Sequence, residues 1–307
     1  MTLLSPGPHG GDAQRLAWAL GVPVGEVLDL SVSLNPAAAD PAPVVVRHLD
    51  AIGRYPDDSA AVAALAEVLS VDRTRLVLTN GGAEAIALVA ALHPIGWADE
   101  FEFSLYRRHL RALDSDGPHW MSDPHNPSGR LAPRDCRAFV RDEAFYALAT
   151  GTWTRGDQGT IVVGSLTKAL ACPGLRIGYV LAPDDGTAAR IAHLRPRWSL
   201  NGLAAAALPD LLAAADPAAW VAGIGPLRSD LTDLLHRHRL DACPGAANFL
   251  WVPAARGLRD RLLPHGVLVR SGASFGHPDA VRIAVPTPAG LERFERVLWL
   301  TAGAEGG

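Results

Sequence analysis

Ser165-Leu166-Thr167-Lys168-Ala169-Leu170-Ala171-Cys172-Pro173-Gly174-Leu175-Arg176-Ile177-Gly178-Tyr179 is the stretch around which the chain is organised, and it follows directly on the apolar run Thr160-Ile161-Val162-Val163-Gly164. Thr160 to Leu166 predicts a buried strand that delivers Lys168 at its carboxyl end, and Ile177 to Ala182 predicts another. Of the 28 basic side chains in 307 residues, all but one are arginine, and the exception is Lys168. Arginine can replace lysine wherever only a charge is needed. It cannot replace lysine as a nucleophile, because a guanidinium keeps its proton while a desolvated ε-amine can lose its own and attack a carbonyl. A single lysine can also be a leftover of an arginine-biased composition, so its surroundings must decide.

Hydrophobic residues make up 49% and charged ones 20% of the chain, the composition of a globular protein with a sizeable core rather than of a disordered one. A net charge of -4 gives no general attraction to nucleic acid or to an anionic membrane, so neither is expected as a partner, and small anions would need local arginines. Cys136, Cys172 and Cys243 are too scattered for a disulfide framework or a C-x-x-C pair. The opening Met1-Thr2-Leu3-Leu4-Ser5-Pro6-Gly7 lacks the features of a signal peptide, and no apolar stretch reaches transmembrane length. The expectation is a cytoplasmic enzyme or binding protein.

Three parts are expected: an N-terminal arm (1–35), a large domain (36–195) and a smaller C-terminal α/β domain (196–307). The arm carries His9-Gly10-Gly11-Asp12 and a short strand ending at Asn35-Pro36. In the large domain, Arg75 to Thr79 predicts a strand, Asn80-Gly81-Gly82 a turn, and Ala83 to Leu92 a helix. A glycine turn at a helix start places free backbone N–H groups and the helix dipole on one spot, which suits an anion, although an ordinary βα turn has the same sequence. Asp123-Pro124-His125-Asn126-Pro127-Ser128-Gly129 is a dense turn cluster that can present the Asn126 amide. Ala138 to Phe145 predicts a strand ending on Asp142 and Glu143, the end at which open α/β sheets place ligands. Alternation of strands and helices argues for a mostly parallel sheet covered by helices. His236 and His238 have no third ligand at metal spacing, so no metal site is expected. Residues 303–307 predict a tail without structure.

In this order, the glycine turn, the Asn in Asn-Pro-Ser-Gly, Asp142-Glu143-Ala144-Phe145 and Ser165-Leu166-Thr167-Lys168 with Arg176 eight residues on resemble the fold type I pyridoxal-phosphate enzymes of aminotransferase class I/II. The likeness runs from His9 to about Glu292 and is nearest to the branch that holds threonine-phosphate decarboxylase, an enzyme of cobalamin biosynthesis, and histidinol-phosphate aminotransferase. It implies pyridoxal 5'-phosphate as cofactor. Lys168 would hold it covalently and then move a proton at Cα, Asp142 would face the pyridine nitrogen, Asn126 would donate to the ring hydroxyl oxygen, and Tyr106 would stack on the ring. The cofactor phosphate would be held by the Gly82 and Ala83 amides, Ser165, Thr167 and Arg176. Tyr55 in Arg-Tyr-Pro-Asp would reach the phosphate of a neighbouring subunit, which implies a homodimer. Arg282 would clamp a substrate carboxylate, Arg270 a substrate phosphate, and Asn35 and His9 would line the substrate pocket. As isolated residues the two arginines read more often as surface side chains on strands, and Asn35 reads equally as a turn residue. Trp198 is expected at the domain junction.

The His9-Gly10-Gly11 opening resembles the decarboxylase side of the branch. The resemblance therefore implies decarboxylation of threonine phosphate, with a histidinol-phosphate type of transamination and a cofactor-binding homologue without turnover as alternatives. Departures from the family pattern are visible. Tyr106 to Asn126 and Gly129 to Asp142 are short, so the sheet should be trimmed. Phe145 stands where many relatives have a tyrosine, whose contact Tyr146 could take. Asp123 and His125 replace the usual asparagines of the turn.

Overall fold

The computed structural model describes residues 3–7, 9–156 and 159–302. Its strands in chain order are β1 (Leu28–Leu30), β2 (Leu76–Asn80), β3 (Ile95–Gly96), β4 (Ala112–Leu113), β5 (Trp120–Ser122), β6 (Val140–Asp142), β7 (Ile161–Ser165), β8 (Ile177–Leu181), β9 (Phe249–Val252), β10 (Val267–Ser271) and β11 (Val281–Ala284). The large sheet has the order β2-β8-β7-β6-β5. β8 is antiparallel to both neighbours, while the other four strands run the same way, so the sheet is mostly parallel.

Its residues alternate between two apolar layers. Leu76, Leu78, Val162, Ile177 and Leu181 share a core with the helices Ser59–Leu69 and Gly202–Ala213. Val77, Val140, Ile161, Val163 and Val180 share the opposite one with Gly82–Leu92 and Asp185–Leu194. Side chains of period two that are apolar on both faces can be satisfied only by helices on both sides, and each buried aliphatic contributes about 1.5–3 kcal/mol.

Trimming is visible between β5 and β6, where residues 123–139 contain neither helix nor strand. A parallel pair ordinarily needs a helical crossover. Here polar contacts hold the loop. Asp123 accepts from Arg155 at 2.5 Å and from the Ala132 N–H at 2.9 Å, and His125 bonds the Phe101 carbonyl and Ser128 Oγ, each at 2.7 Å. The aspartate and histidine that stand in place of asparagines thus carry structural bonds.

The second sheet has the order β1-β10-β11-β9, with β1 parallel to β10. Residues 1–35 are therefore more than an arm, since Leu28–Leu30 forms an edge strand of the sheet otherwise built by the last third. The start of the small unit also lies later than residue 196. The helix Gly202–Ala213 and the first half of Pro217–Arg237, through Trp220 and Ile224, pack in the core of the large sheet, whereas Leu231, Leu234 and Leu235 pack in the second core. Pro226, which lacks a donor N–H, falls between the two halves. Residues 303–307, expected as an unstructured tail, lie outside the described residues. No helix among the described residues is long and apolar enough to cross a membrane.

The turn after β2 fixes the site. Gly81 has φ 78°, a left-handed value that glycine adopts without penalty, and an added Cβ would lie 2.5 Å from the Arg176 guanidinium. From the neighbouring strand, Gly178 approaches so closely that a Cβ would meet the Gly81 carbonyl carbon at 2.4 Å and the Gly82 nitrogen at 2.5 Å. Backbone cannot yield there as a flexible side chain would. Gly178→Ala is expected to lower the unfolding free energy by about 1–3 kcal/mol and to weaken cofactor binding. A urea titration with a lowered midpoint and unchanged slope checks the first effect.

Candidate active site

A cavity of about 570 Å³ lies at the carboxyl ends of β2, β6 and β7. β10, β11 and residues 9–11 and 31–34 close it from the other side. Three groups of side chains divide it.

The first group is a cradle for an anion. Gly82 and Ala83 begin the helix Gly82–Leu92, so their N–H groups have no acceptor within the helix. Ser165, the last residue of β7, donates to Thr167 Oγ1 at 3.0 Å, and Thr167 donates to the Ile177 carbonyl at 3.3 Å, which orients both hydroxyls. Arg176, with φ 57°, reaches over Gly81 into the space that glycine leaves.

The second group is Lys168 with Asp142. Burial pulls the Lys168 amine down from about 10.5 to about 8, the negative charge of Asp142 opposes this, and Arg282, Arg176 and Arg270 add to it. Burial raises the Asp142 carboxyl. Against that act the Ala144 N–H at 2.9 Å, the Tyr106 hydroxyl at 2.8 Å and the charge of Lys168. Phe145 forms the adjacent wall, with the Lys168 amine 5.7 Å from its ring centre.

The third group comes from the small lobe. Arg282 is only 6% exposed, and its hydrogen-bond acceptors are both uncharged: Asn126 Oδ1 at 2.6 Å and the Ser31 carbonyl at 3.3 Å. Its Nε has no partner, and the Phe249 ring packs 4.6 Å away. Burial, and then Arg270, lower it to about 9, still well charged at neutral pH. A buried cation without a carboxylate is costly, so this position is built for an incoming anion. Arg270 donates to Ser274 Oγ at 2.8 Å and is lowered by burial to about 10. His9 is lowered by burial, then by Arg270, Arg108 and Lys168, and lies tilted on Phe103 with ring centres 5.7 Å apart. Among the described side chains lining the cavity, Asp142 is the only acid, against Lys168 and the arginines 108, 176, 270 and 282. Such a cavity selects ligands with several negative charges.

Lys168, Asp142, Gly82, Ala83, Asn126, Ser165, Thr167, Arg176, Arg282, Arg270 and His9 therefore line one cavity. Tyr106 does not stack in it. Its side chain is 1% exposed behind the wall and bonds Asp142, because the short helix Leu105–His109 turns it inward, and Phe103 lines the cavity instead. Asn35 is not a lining residue either. Its Nδ2 donates to the Ala169 carbonyl at 2.9 Å and its Oδ1 accepts from the Ala37 N–H at 2.9 Å, which pins the N-terminal segment to the lysine turn. Tyr146 does not reach the cavity, so it supplies no hydroxyl in place of the one that Phe145 lacks. Trp198 is not at a lobe junction but half exposed, stacked on the exposed Tyr55 at 4.5 Å. The sequence reading missed Phe103, Ser122, Arg108 and His109. Phe103 and Arg108, three residues before and two after Tyr106, could have been found by the same motif read in a different register.

This donor set fits pyridoxal phosphate: a cradle for its phosphate, an amine for its aldehyde, a carboxyl group for its ring nitrogen and aromatic walls for its ring. Residues 120–298 match the family model for aminotransferase class I and II. The chain is 26% identical to histidinol-phosphate aminotransferase 1 of Dechloromonas aromatica, over 96% of this chain and 95% of that protein. It is 30% identical to threonine-phosphate decarboxylase of Salmonella typhimurium, over 93% of this chain and 94% of that protein. The solved histidinol-phosphate aminotransferase from Sinorhizobium meliloti in complex with pyridoxal-5'-phosphate superposes with a TM-score of 0.81 at 18% identity, covering 99% of this chain and 96% of that one.

Because Lys168 is the only lysine, an amine-reactive label read by peptide mass spectrometry reports on it directly. In the cofactor-free protein the rate of labelling at Lys168 is expected to rise with pH to a midpoint near 8. An exposed lysine would show its midpoint near 10.4.

Proposed function

Because the chain belongs to the aminotransferase class I and II family, we propose that its cavity holds pyridoxal phosphate at Lys168, takes a small phosphorylated amino acid, and decarboxylates threonine phosphate. The family makes the chain a pyridoxal-phosphate-dependent enzyme. When bound, this cofactor supplies an electron sink for the bond broken at Cα.

The chain's own residues bind, orient and move protons. Gly82, Ala83, Ser165, Thr167 and Arg176 hold the cofactor phosphate. Asp142 would keep a proton at the ring nitrogen, and Asn126, whose Oδ1 accepts from Arg282, would have its amide N–H₂ left for the ring hydroxyl oxygen. Phe103 and Phe145 give the ring apolar walls. Lys168 would hold the cofactor and would move a proton at Cα; its lowered pKa suits it to act as base and acid near neutral pH. Arg282 takes a substrate carboxylate.

One observation carries the substrate choice. With Arg176 assigned to the cofactor phosphate and Arg282 to a carboxylate, Arg270, Arg108 and His9 still face the cavity, enough for a second phosphate. Residues 9–11 close that end, the Gly11 N–H donating to Ser31 Oγ at 3.0 Å. Transamination of histidinol phosphate is the second reading. Kinship with histidinol-phosphate aminotransferases favours it, as do Arg270 and Arg282 in one cavity, which can hold the two carboxylates of a dicarboxylic amino donor. The protein is taken to work as a homodimer in which Tyr55 crosses to the partner's cradle. Tyr55 is 76% exposed and follows the exposed Val46, Leu49 and Ile52, an apolar surface that a second copy would cover.

The loaded protein is expected to release carbon dioxide from threonine phosphate and to form no glutamate from 2-oxoglutarate and histidinol phosphate. Glutamate without carbon dioxide would replace the first reading by the second, and neither product would leave a cofactor-binding homologue without turnover. Arg282→Met is expected to lose about 1.5–3 kcal/mol of transition-state binding, roughly ten- to hundredfold in kcat/KM, chiefly through KM. Tyr55→Ala should weaken cofactor affinity at equilibrium dialysis, while sedimentation gives a dimer mass for the wild type.

A further inference from the structure

Ser122 ends β5, the last strand of the large sheet, and lies in register with Asp142 on β6. Beyond β5, among the described residues, only the isolated Trp97–His119 bridge continues the ladder, so backbone donors on that side need acceptors from elsewhere. The Trp120 N–H finds the Trp97 carbonyl at 2.8 Å. The Ser122 N–H finds a side chain: Glu102 Oε1 accepts it at 2.9 Å, and Glu102 Oε2 accepts from Ser122 Oγ at 2.5 Å and from the Phe103 N–H at 3.2 Å. Glu102 and Ser122 are both buried. A buried carboxyl group thus stands where a neighbouring strand would be, and it fixes the backbone of Ser122 and of the wall residue Phe103.

The Ser122 hydroxyl carries this anchorage across the cavity. Having donated to Glu102, its Oγ accepts from the Asn126 N–H at 2.7 Å. Asn126 Oδ1 in turn accepts from Arg282 at 2.6 Å, against 3.3 Å from Arg282 to the Ser31 carbonyl. Glu102, Ser122, Asn126 and Arg282 are therefore joined by consecutive hydrogen bonds that run from the edge of the large sheet to β11 of the small lobe. Residues 123–139 contain neither helix nor strand, so Asn126 depends on side-chain contacts of this kind for its place beside the sheet. Arg282 has a bare Nε and follows its nearer acceptor.

We infer that Ser122, anchored by Glu102, is a positioning residue that sets the preference for ligands bearing a carboxylate: its hydroxyl holds Asn126 where the Asn126 carbonyl oxygen aims Arg282 into the cavity. Without the hydroxyl the Asn126 N–H is buried and lacks its acceptor, the turn shifts to find another, and Arg282 loses the group that aims it. The effect is selective. Arg270 donates to Ser274 of the small lobe, and the anion cradle is built on β2, β7 and the turn before β8, so neither hangs on Ser122. The inference rests on the reading of Arg282 as receptor for a substrate carboxylate.

The test is calorimetric titration of the cofactor-loaded protein with 3-phosphoglycerate and with glycerol 3-phosphate. The two probes differ only in a carboxylate against a hydroxymethyl group, and neither carries an amine that could react with the cofactor. Wild type is expected to bind 3-phosphoglycerate more tightly by about tenfold or more, the value of hydrogen bonds to a charged group. Ser122→Ala is expected to cut that preference about three- to tenfold while the affinity for glycerol 3-phosphate stays within about twofold. Glu102→Ala is expected to do the same, and either variant carries the test if the other does not fold. Because the two residues act in sequence, the double variant is expected to lose no more than the single ones. Glu102→Gln, which keeps an acceptor for the Ser122 N–H, is expected to restore most of the preference. An unchanged preference in Ser122→Ala, additive losses in the double variant, or no recovery in Glu102→Gln would each overturn the inference. A merely structural Ser122 would lower the urea midpoint and weaken both probes alike, which also overturns it. If wild type binds the probes equally, or Arg282→Met keeps the preference, the reading of Arg282 fails and the inference with it. If Arg282→Met removes the preference and Ser122→Ala does not, the failure is confined to Ser122.

Discussion

Five cations around one cavity with a single carboxylate, counted among the described residues of its wall, are the constraint on which this structure depends. Left to themselves they would repel one another and draw in water. Each is therefore held by a different part of the fold: Arg176 by the turn before β8, Arg270 and Arg282 by two adjacent strands of the small lobe, Arg108 by a short helix, and Lys168 by the turn after β7. The N-terminal segment closes the arrangement with uncharged acceptors. The Ser31 carbonyl takes Arg282, Asn35 holds the lysine turn, and Asn248 donates to the carbonyls of Ser33 and Leu34 at 2.8 and 3.0 Å. Acceptors without charge position the guanidinium and leave its charge for the ligand. The chain as a whole is acidic, so this positive field is a local construction.

A shortened sheet places demands on what remains. β5 and β6 have three residues each, yet they deliver Ser122 and Asp142 at their ends, and β6 lies between β5 and β7. With no helix between them, the loop of residues 123–139 is stiffened by the Asp123–Arg155 pair, buried on both sides, and by the bonds of His125. Removing either partner of such a pair leaves a desolvated charge, so the pair can replace a crossover helix only as a unit.

Much of the site was legible because it is carried by local sequence. Lys168, Ser165, Thr167 and Arg176 lie at or just beyond one strand end, Gly82 and Ala83 another, and Asp142 a third, and the family resemblance carried on these stretches names residues that line one cavity. What could not be read depends on tertiary packing. Tyr106 and Phe103 lie three residues apart in one motif, and which of them faces the cavity is set by how the helix Leu105–His109 packs against Trp120 and Asp142. Asn35 has the sequence of a pocket residue or a turn residue, and its two backbone bonds decide for the turn. Glu102 carried no signal at all, since nothing local distinguishes an acid that will be buried beside a serine twenty residues away. The pairing of Leu28–Leu30 with β10 likewise joins segments more than two hundred residues apart.

The division of labour between one lysine and 27 arginines now has a physical basis. The same desolvated cavity lowers Lys168, Arg282 and Arg270 alike. For Lys168 the shift ends at about 8, where the amine is neutral often enough to attack a carbonyl and protonated often enough to return the proton. For Arg282 and Arg270 the shift ends at about 9 and about 10, and both remain positive at neutral pH. A lysine at either of those positions, starting some two units lower, would hold its charge less firmly under the same burial. One environment thus suits the lysine to its proposed role as a nucleophile and the arginines to their proposed role as anion receptors, and the two residue types are not interchangeable there.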